Sequence, residues 1–144
     1  MITKILPTKI EEHWKAIAAY LDKVMPPTPY GTKIDTDYLK TKVITEEMSL
    51  WLIYQNEKIN GLLITTYTKE ITSEKSSLLI YAIVAFEKLD TALIKEDFKT
   101  LQKYAKETGA QYISAYSNVP HVVKLVQDLG GNAEYAYLTL GVDQ

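Results

Sequence analysis

The side chains able to do covalent or metal chemistry are few and scattered. The chain holds two histidines, His13 and His121, and no cysteine. Neither histidine has a carboxylate or a second imidazole at ligand spacing, so no metal site is expected. The lack of cysteine excludes a disulfide scaffold, a thiol nucleophile and any cysteine-ligated zinc or iron–sulfur centre. His13, beside Trp14, reads as a surface or boundary residue. His121, early in a later helix, reads as structural, with a base role as its alternative. Ser114 and Ser117 lack the glycines of a nucleophile elbow. Glu11-Glu12 and Glu46-Glu47 are adjacent pairs, and neighbours on a helix do not face each other. Gly130-Gly131 follows a helix, whereas an anion-binding turn must precede one. No catalytic residue is assigned on these grounds.

Bulk properties narrow the classes further. At 144 residues, positions 1–144 are expected to form one domain with a real core. All 16 basic residues are lysines, and the net charge is −2. That balance argues against a nucleic-acid partner, which calls for a basic face. The longest apolar run, Leu78 to Phe86, has nine residues, against roughly 20 for a membrane span. Met1 to Lys4 lacks the apolar stretch of a signal peptide. No membrane partner and an intracellular location are the expectation. Of 11 tyrosines, Tyr81, Tyr112, Tyr116, Tyr135 and Tyr137 fall in strand-like stretches. There they serve sheet packing or, alternatively, a protein interface.

The elements that must position these residues follow from periodicity. Ile2 to Leu6 reads as a short strand ended by Pro7. Ile10, Trp14, Ile17, Leu21 and Val24 mark a helix from about Thr8, with Thr8 as N-cap. Pro26, Pro27 and Pro29 stop it and stiffen a loop to Gly31. A second helix covers Asp35 to about Thr45. Leu50 to Tyr54 and Gly61 to Thr68 flank the polar turn 55–58 as an antiparallel hairpin. Ser77 to Phe86 is apolar almost throughout and reads as a strand covered on both faces. Leu93, Ile94, Phe98, Leu101 and Ala105 trace a helix ending at Gly109. A strand at Tyr112 to Tyr116, a helix at Asn118 to Leu129 and a strand at Glu134 to Val142 complete the chain. The order β-α-α-β-β-β-α-β-α-β predicts an α/β fold with a mixed sheet.

This order resembles the GNAT (GCN5-related N-acetyltransferase) fold over nearly the whole chain. Gly61 in the hairpin, FKTLQKYAKETG at Phe98 to Gly109, and Asn118 opening a helix that ends Leu129-Gly130 are similar to that family. The resemblance implies an acetyl-CoA diphosphate held by a loop with Arg or Gln, two residues, Gly, one residue, then Gly or Ala. Counting back from Gly109 puts Leu89 at the Arg/Gln position, Ala92 at the first glycine and Ile94 at the last small position. Val84-Ala85-Phe86 stands where the family has Val-x-Pro. Asp90 adds a carboxylate beside the expected diphosphate, and Asp90 or Thr91 is expected to cap the helix instead. The family's tyrosine acid falls on Val126, with a register uncertainty of one residue.

Two functions are carried forward. The first is a non-catalytic GNAT-fold structural or interaction protein with a degenerate active site, no cofactor and protein partners in a larger assembly. Its segment Asn118 to His121, with Lys124-Leu125 and the terminal Leu-Gly, resembles small bacteriophage GNAT-like proteins, including podovirus internal virion proteins. That resemblance implies a host-cytoplasmic or virion location. The alternative is an acetyl-CoA-dependent N-acetyltransferase with an atypical cofactor loop. Its cofactor would lie on Ile83, Val84, Ala85, Ala92, Ile94 and Asn118. Inhibition of a host protein fits the acidic surface as a third option.

Overall fold

The computed structural model describes residues 1–25, 27–117 and 120–142. Five strands form one sheet: β1 (Ile2–Lys4), β2 (Met48–Gln55), β3 (Lys58–Lys69), β4 (Ser76–Ala85) and β5 (Tyr112–Ala115), in the spatial order β1-β2-β3-β4-β5. All neighbours are antiparallel except β4 and β5, which are parallel. The crossover between these two is the helix α3 (Thr91–Glu107), the connection that parallel pairing requires. α1 (Pro7–Val24) and α2 (Thr36–Ile44) join β1 to β2, and α4 (Pro120–Asp128) follows β5.

Two apolar layers explain why β2 to β4 are hydrophobic at successive positions. Leu50, Leu62 and Ile64 pack with Ile10, Trp14 and Leu21 of α1 and with Leu39 and Val43 of α2. Trp51, Ile53, Leu63, Leu78 and Ile80 face the other way, onto Leu101 and Ala105 of α3. Period-2 alternation therefore buries both sets. Asn56 and Glu57 take positive φ values of 54° and 62°, the two-residue turn that matches strand twist in a tight hairpin.

Three expectations need correction. α1 starts at Pro7 with Leu6 as its N-cap and has no side-chain cap, so Thr8 lies inside the first turn. Proline at the first helical position gives up an amide that lacks a partner there anyway. β4 is covered on both faces only in its first half, because Ile83 and Ala85 are exposed. Glu134 to Val142 forms no strand among the described residues. Side chains dock this segment in place of ladder bonds: Tyr137 Oη lies 3.1 Å from Tyr30 Oη, and Thr139 Oγ1 donates to the Pro29 carbonyl at 3.2 Å. Tyr135, Leu138, Leu140 and Val142 are left almost fully exposed. The expected helix stop at Pro26 and helix start at Asn118 lie outside the described residues.

At Gly61, β3 runs so close to β4 that a Cβ there would collide with the Val84 carbonyl oxygen. Gly61→Ala is expected to cost roughly 1–3 kcal/mol as the strands part, read as a lower urea midpoint at unchanged slope. A second prediction concerns Tyr67, whose hydroxyl donates to Thr108 Oγ1 at 2.6 Å and ties β3 to the end of α3. Burial, chiefly, pushes this phenol up to about 12, with the neighbouring Tyr104 adding to the rise and the Thr108 bond opposing it. Folding thus favours the protonated phenol. Its contribution is full below the ordinary value of 10.0 and is lost as pH rises toward about 12. Urea titrations from pH 9 upward should show Tyr67→Phe lacking that part of the alkaline loss.

Candidate functional site

The β4–β5 ladder runs only from Ser77↔Tyr112 to Ile80↔Ala115, whereas β4 continues to Ala85. The strands part at an irregularity in β4. Thr65 pairs with Ile80 and Ile64 with Ala82, which leaves Tyr81 as an extra residue. Tyr81 and Ala82 consequently both pack toward α1 and α2. A bulge of this kind bends the strand that carries it. Beyond it, Ile83, Val84 and Ala85 remain paired with β3 and have no ladder partner on the β5 side.

The loop from β4 to α3 is held by two side chains that the sequence did not single out. A second bulge, in β3, lets Ile53 pair with Gly61 and Tyr54 with Ile59, so Asn60 is the extra residue. Buried Asn60 accepts from the Glu87 amide at 3.0 Å through its Oδ1, and its main-chain carbonyl accepts from the Phe86 amide at 2.7 Å. Gln55 Oε1 accepts from the Asp90 amide at 3.3 Å. Leu89 packs against the α3-side core.

At the start of α3 the helix is capped by its own chain. Asp90 Oδ1 accepts from the amides of Ala92 at 2.8 Å and Leu93 at 3.4 Å. The Asp90 carbonyl accepts from the Ile94 amide at 2.9 Å. A carboxylate at a helix N-terminus is favoured by the dipole and satisfies otherwise orphaned donors. The fold therefore brings Ile83 to Ala85 and the pair Ala92 and Ile94 onto consecutive elements, but Asp90 already engages the two α3 amides. A diphosphate bound to these amides would have to displace the Asp90 carboxylate, and the β4 edge from Ile83 to Ala85 has no ladder partner on the β5 side. Asn118 lies outside the described residues.

On the α1–α2 side, the bulge opens onto a cleft of about 640 Å³. Tyr81 from β4, Tyr116 just past β5, and Glu46 and Glu47 after α2 line it. Burial, and secondarily the nearby Tyr116, raises the pKa of Tyr81, so its phenol stays protonated. Lys42 pairs with Glu47 at 3.3 Å. The Tyr116 ring lies 4.9 Å from that of Tyr137, which ties the cleft to the C-terminal segment. Val126, at the expected tyrosine position, is half-buried at the end of α4, where its carbonyl accepts from the Gly131 amide at 2.8 Å. His13 is exposed and 3.9 Å from Glu12. Among the described residues no group of three or more His, Asp or Glu side chains could hold a metal, and no helix is long and apolar enough to cross a membrane.

No protein-family model matches the chain, and no curated protein matches its sequence. Solved structures do match. A probable acetyltransferase superposes with a TM-score of 0.69 at 17% identity, over 99% of this chain and 97% of that one. An aminoglycoside N-acetyltransferase in complex with CoA gives 0.66 at 10% identity, over 98% of each chain. The ribosomal-protein-alanine N-acetyltransferase of Brucella melitensis biovar Abortus 2308 gives 0.65 at 13% identity, over 98% of this chain and 97% of that one. The fold is GNAT-like. These neighbours give no support to the bacteriophage resemblance.

Asn60 and Gln55 tie the β4–α3 loop of this GNAT-like fold to the β2–β3 hairpin. Asn60→Ala leaves the Glu87 amide without its acceptor and should cost about 1–3 kcal/mol. Hydrogen exchange at Glu87 should accelerate in the same variant, while the amides of the β2–β3 ladder keep their protection.

Proposed function

We propose that this chain is an N-acetyltransferase that takes its acetyl thioester along the open edge of β4 and its amine acceptor from the Tyr81 cleft. The parting of β4 from β5 at the Tyr81 bulge carries this reading, because it offers an unpaired strand edge leading to a cleft. The acetyltransferases among the structural neighbours, one of them a CoA complex, support it. When bound, the thioester supplies an activated acyl carbonyl and a thiolate leaving group. The main-chain groups of Ile83 to Ala85 align the arm, which converts a bimolecular attack into a positioned one. Glu46 and Glu47 attract a protonated amine and take up its proton through water. The Tyr116 hydroxyl, which lines the cleft, would be the group to protonate the departing thiolate.

The start of α3 favours a second reading, a non-catalytic GNAT-fold module working through protein partners. There the Asp90 carboxylate already engages the Ala92 and Leu93 amides, where the family's diphosphate would bind.

Thermal shifts with acetyl-CoA and with S-acetyl-pantetheine, which lacks the diphosphate, separate the two. A thioester at 100 times its dissociation constant stabilises the fold by about 2.7 kcal/mol. Comparable affinity for the two compounds is expected, because the diphosphate gains little here. Turnover with a panel of primary amines should fall roughly 100-fold or more in Tyr116→Phe if that phenol is the proton donor. No stabilisation by either thioester at millimolar concentration would overturn the enzyme and leave the module.

A further inference from the structure

A second cavity, of about 490 Å³, lies on the α3 side of the sheet at the C-terminal end of that helix. It is separate from the open edge of β4. All its lining side chains are polar or charged, including Lys4, Lys69, Ser49 and the paired phenols Tyr67 and Tyr104. Such a lining is unlike an unfilled gap in the core, which would be apolar.

The cavity is built around the Tyr104 hydroxyl. Ser49, Tyr67 and Lys4 line the cavity with it, and the Lys4 ammonium stands 5.6 Å from the centroid of the Tyr104 ring. Burial alone would raise the pKa of Tyr104, but these partners outweigh burial and bring it below the ordinary value. Ser49 is itself a buried hydroxyl. The Tyr104 ring is fixed edge-on against Trp51, with centroids 4.9 Å apart. Trp51 is fixed in turn by its indole bond to Thr65 Oγ1 at 3.0 Å. The Tyr104 ring is thus held in a fixed position at the cavity.

The charge at this end favours an anion. Lys69 is exposed and has no carboxylate partner among the described residues. Glu46 is the lining carboxylate, and it stands 3.9 Å from Lys4. The C-terminus of α3 would oppose an anion through its free carbonyls. Those carbonyls are already occupied: Thr108 Oγ1 donates to Tyr104 O at 2.8 Å, the Ala110 amide to Ala105 O at 2.8 Å, and the Gly109 amide to Lys106 O at 3.2 Å.

We propose that this cavity binds a small oxyanion ligand, a carboxylate or a phosphate monoester, held by Lys69, Lys4 and the hydroxyls of Ser49 and Tyr104. Glu46 and Tyr67 line both this cavity and the Tyr81 cleft, so the two sites adjoin.

The test titrates the full chain with inorganic phosphate and, separately, with succinate at constant ionic strength. The indole N–H resonance of Trp51, assigned with Trp14→Phe, reports on the ring of Tyr104. A saturable shift with either probe is expected, and the stronger one identifies the anion class. Lys69→Gln, an exposed change that leaves the core intact, should weaken binding about tenfold, as should Tyr104→Phe, while Lys99→Gln on the outer face of α3 should not. A shift that fails to saturate, or equal weakening by Lys69→Gln and Lys99→Gln, would mean diffuse charge and overturn the site.

Discussion

One extra residue in β4 governs most of what this fold can do. The β4–β5 ladder ends at Ile80↔Ala115, where β5 itself ends and Tyr81 stands as an extra residue in β4. Tyr81 and Ala82 both turn toward α1 and α2, and β4 leaves β5 after Ile80. The inner edge cannot follow this departure. β3 stays bonded to β4 through Gly61↔Ala85, and the approach there is so close that only glycine fits. A strand anchored on one side and released on the other presents an edge of unpaired amides and carbonyls. In a folded protein such an edge is a liability unless something uses or covers it.

The loop beyond that edge follows a different logic. Six of the amides from Phe86 to Ile94 are engaged by the chain itself. Asn60 takes Glu87 and Phe86, Gln55 takes Asp90, and Asp90 takes Ala92, Leu93 and Ile94. A diphosphate would have to displace the Asp90 carboxylate and then lie beside it. At an effective dielectric near 20, like charges about 4 Å apart repel by roughly 4 kcal/mol per pair before solvent screening reduces it. On the proposed reading, the open edge would take the thioester arm while the Asp90 carboxylate would compete with the diphosphate.

Legibility in the sequence tracked the range of the interactions. Helices α1, α2 and α3 and the β2–β3 hairpin were readable because apolar spacing and turn residues are local signals. Asp90 as a cap was readable for the same reason. The final strand was not, because strand identity needs a partner edge. Tyr137 and Thr139 spend their contacts on Tyr30 and Pro29, more than a hundred residues away in the chain. Gln55 reads from sequence as part of a polar turn, and Asn60 carries no sequence signal of its own. Their role depends on a bulge that shifts register by one, and no single-strand pattern reveals it. The sequence shows Tyr116 only as a strand tyrosine, and the family resemblance places its tyrosine acid at Val126 on α4 instead. The signal that could have found it is its position at the end of the strand that parts from β4.

The chain's lack of arginine gains a local meaning from this geometry. The position where the family places Arg or Gln is Leu89, and its side chain packs against the same core as Leu101 and Phe98. A lysine there would gain a charge for phosphate and lose a contact that seals the start of α3 onto the sheet. Burying a leucine side chain is worth about 1.5–3 kcal/mol when complete, and Leu89 recovers part of that. Leu89 thus serves the packing of the β4–α3 loop onto the sheet, while its neighbours Phe86, Glu87, Lys88 and Asp90 remain exposed.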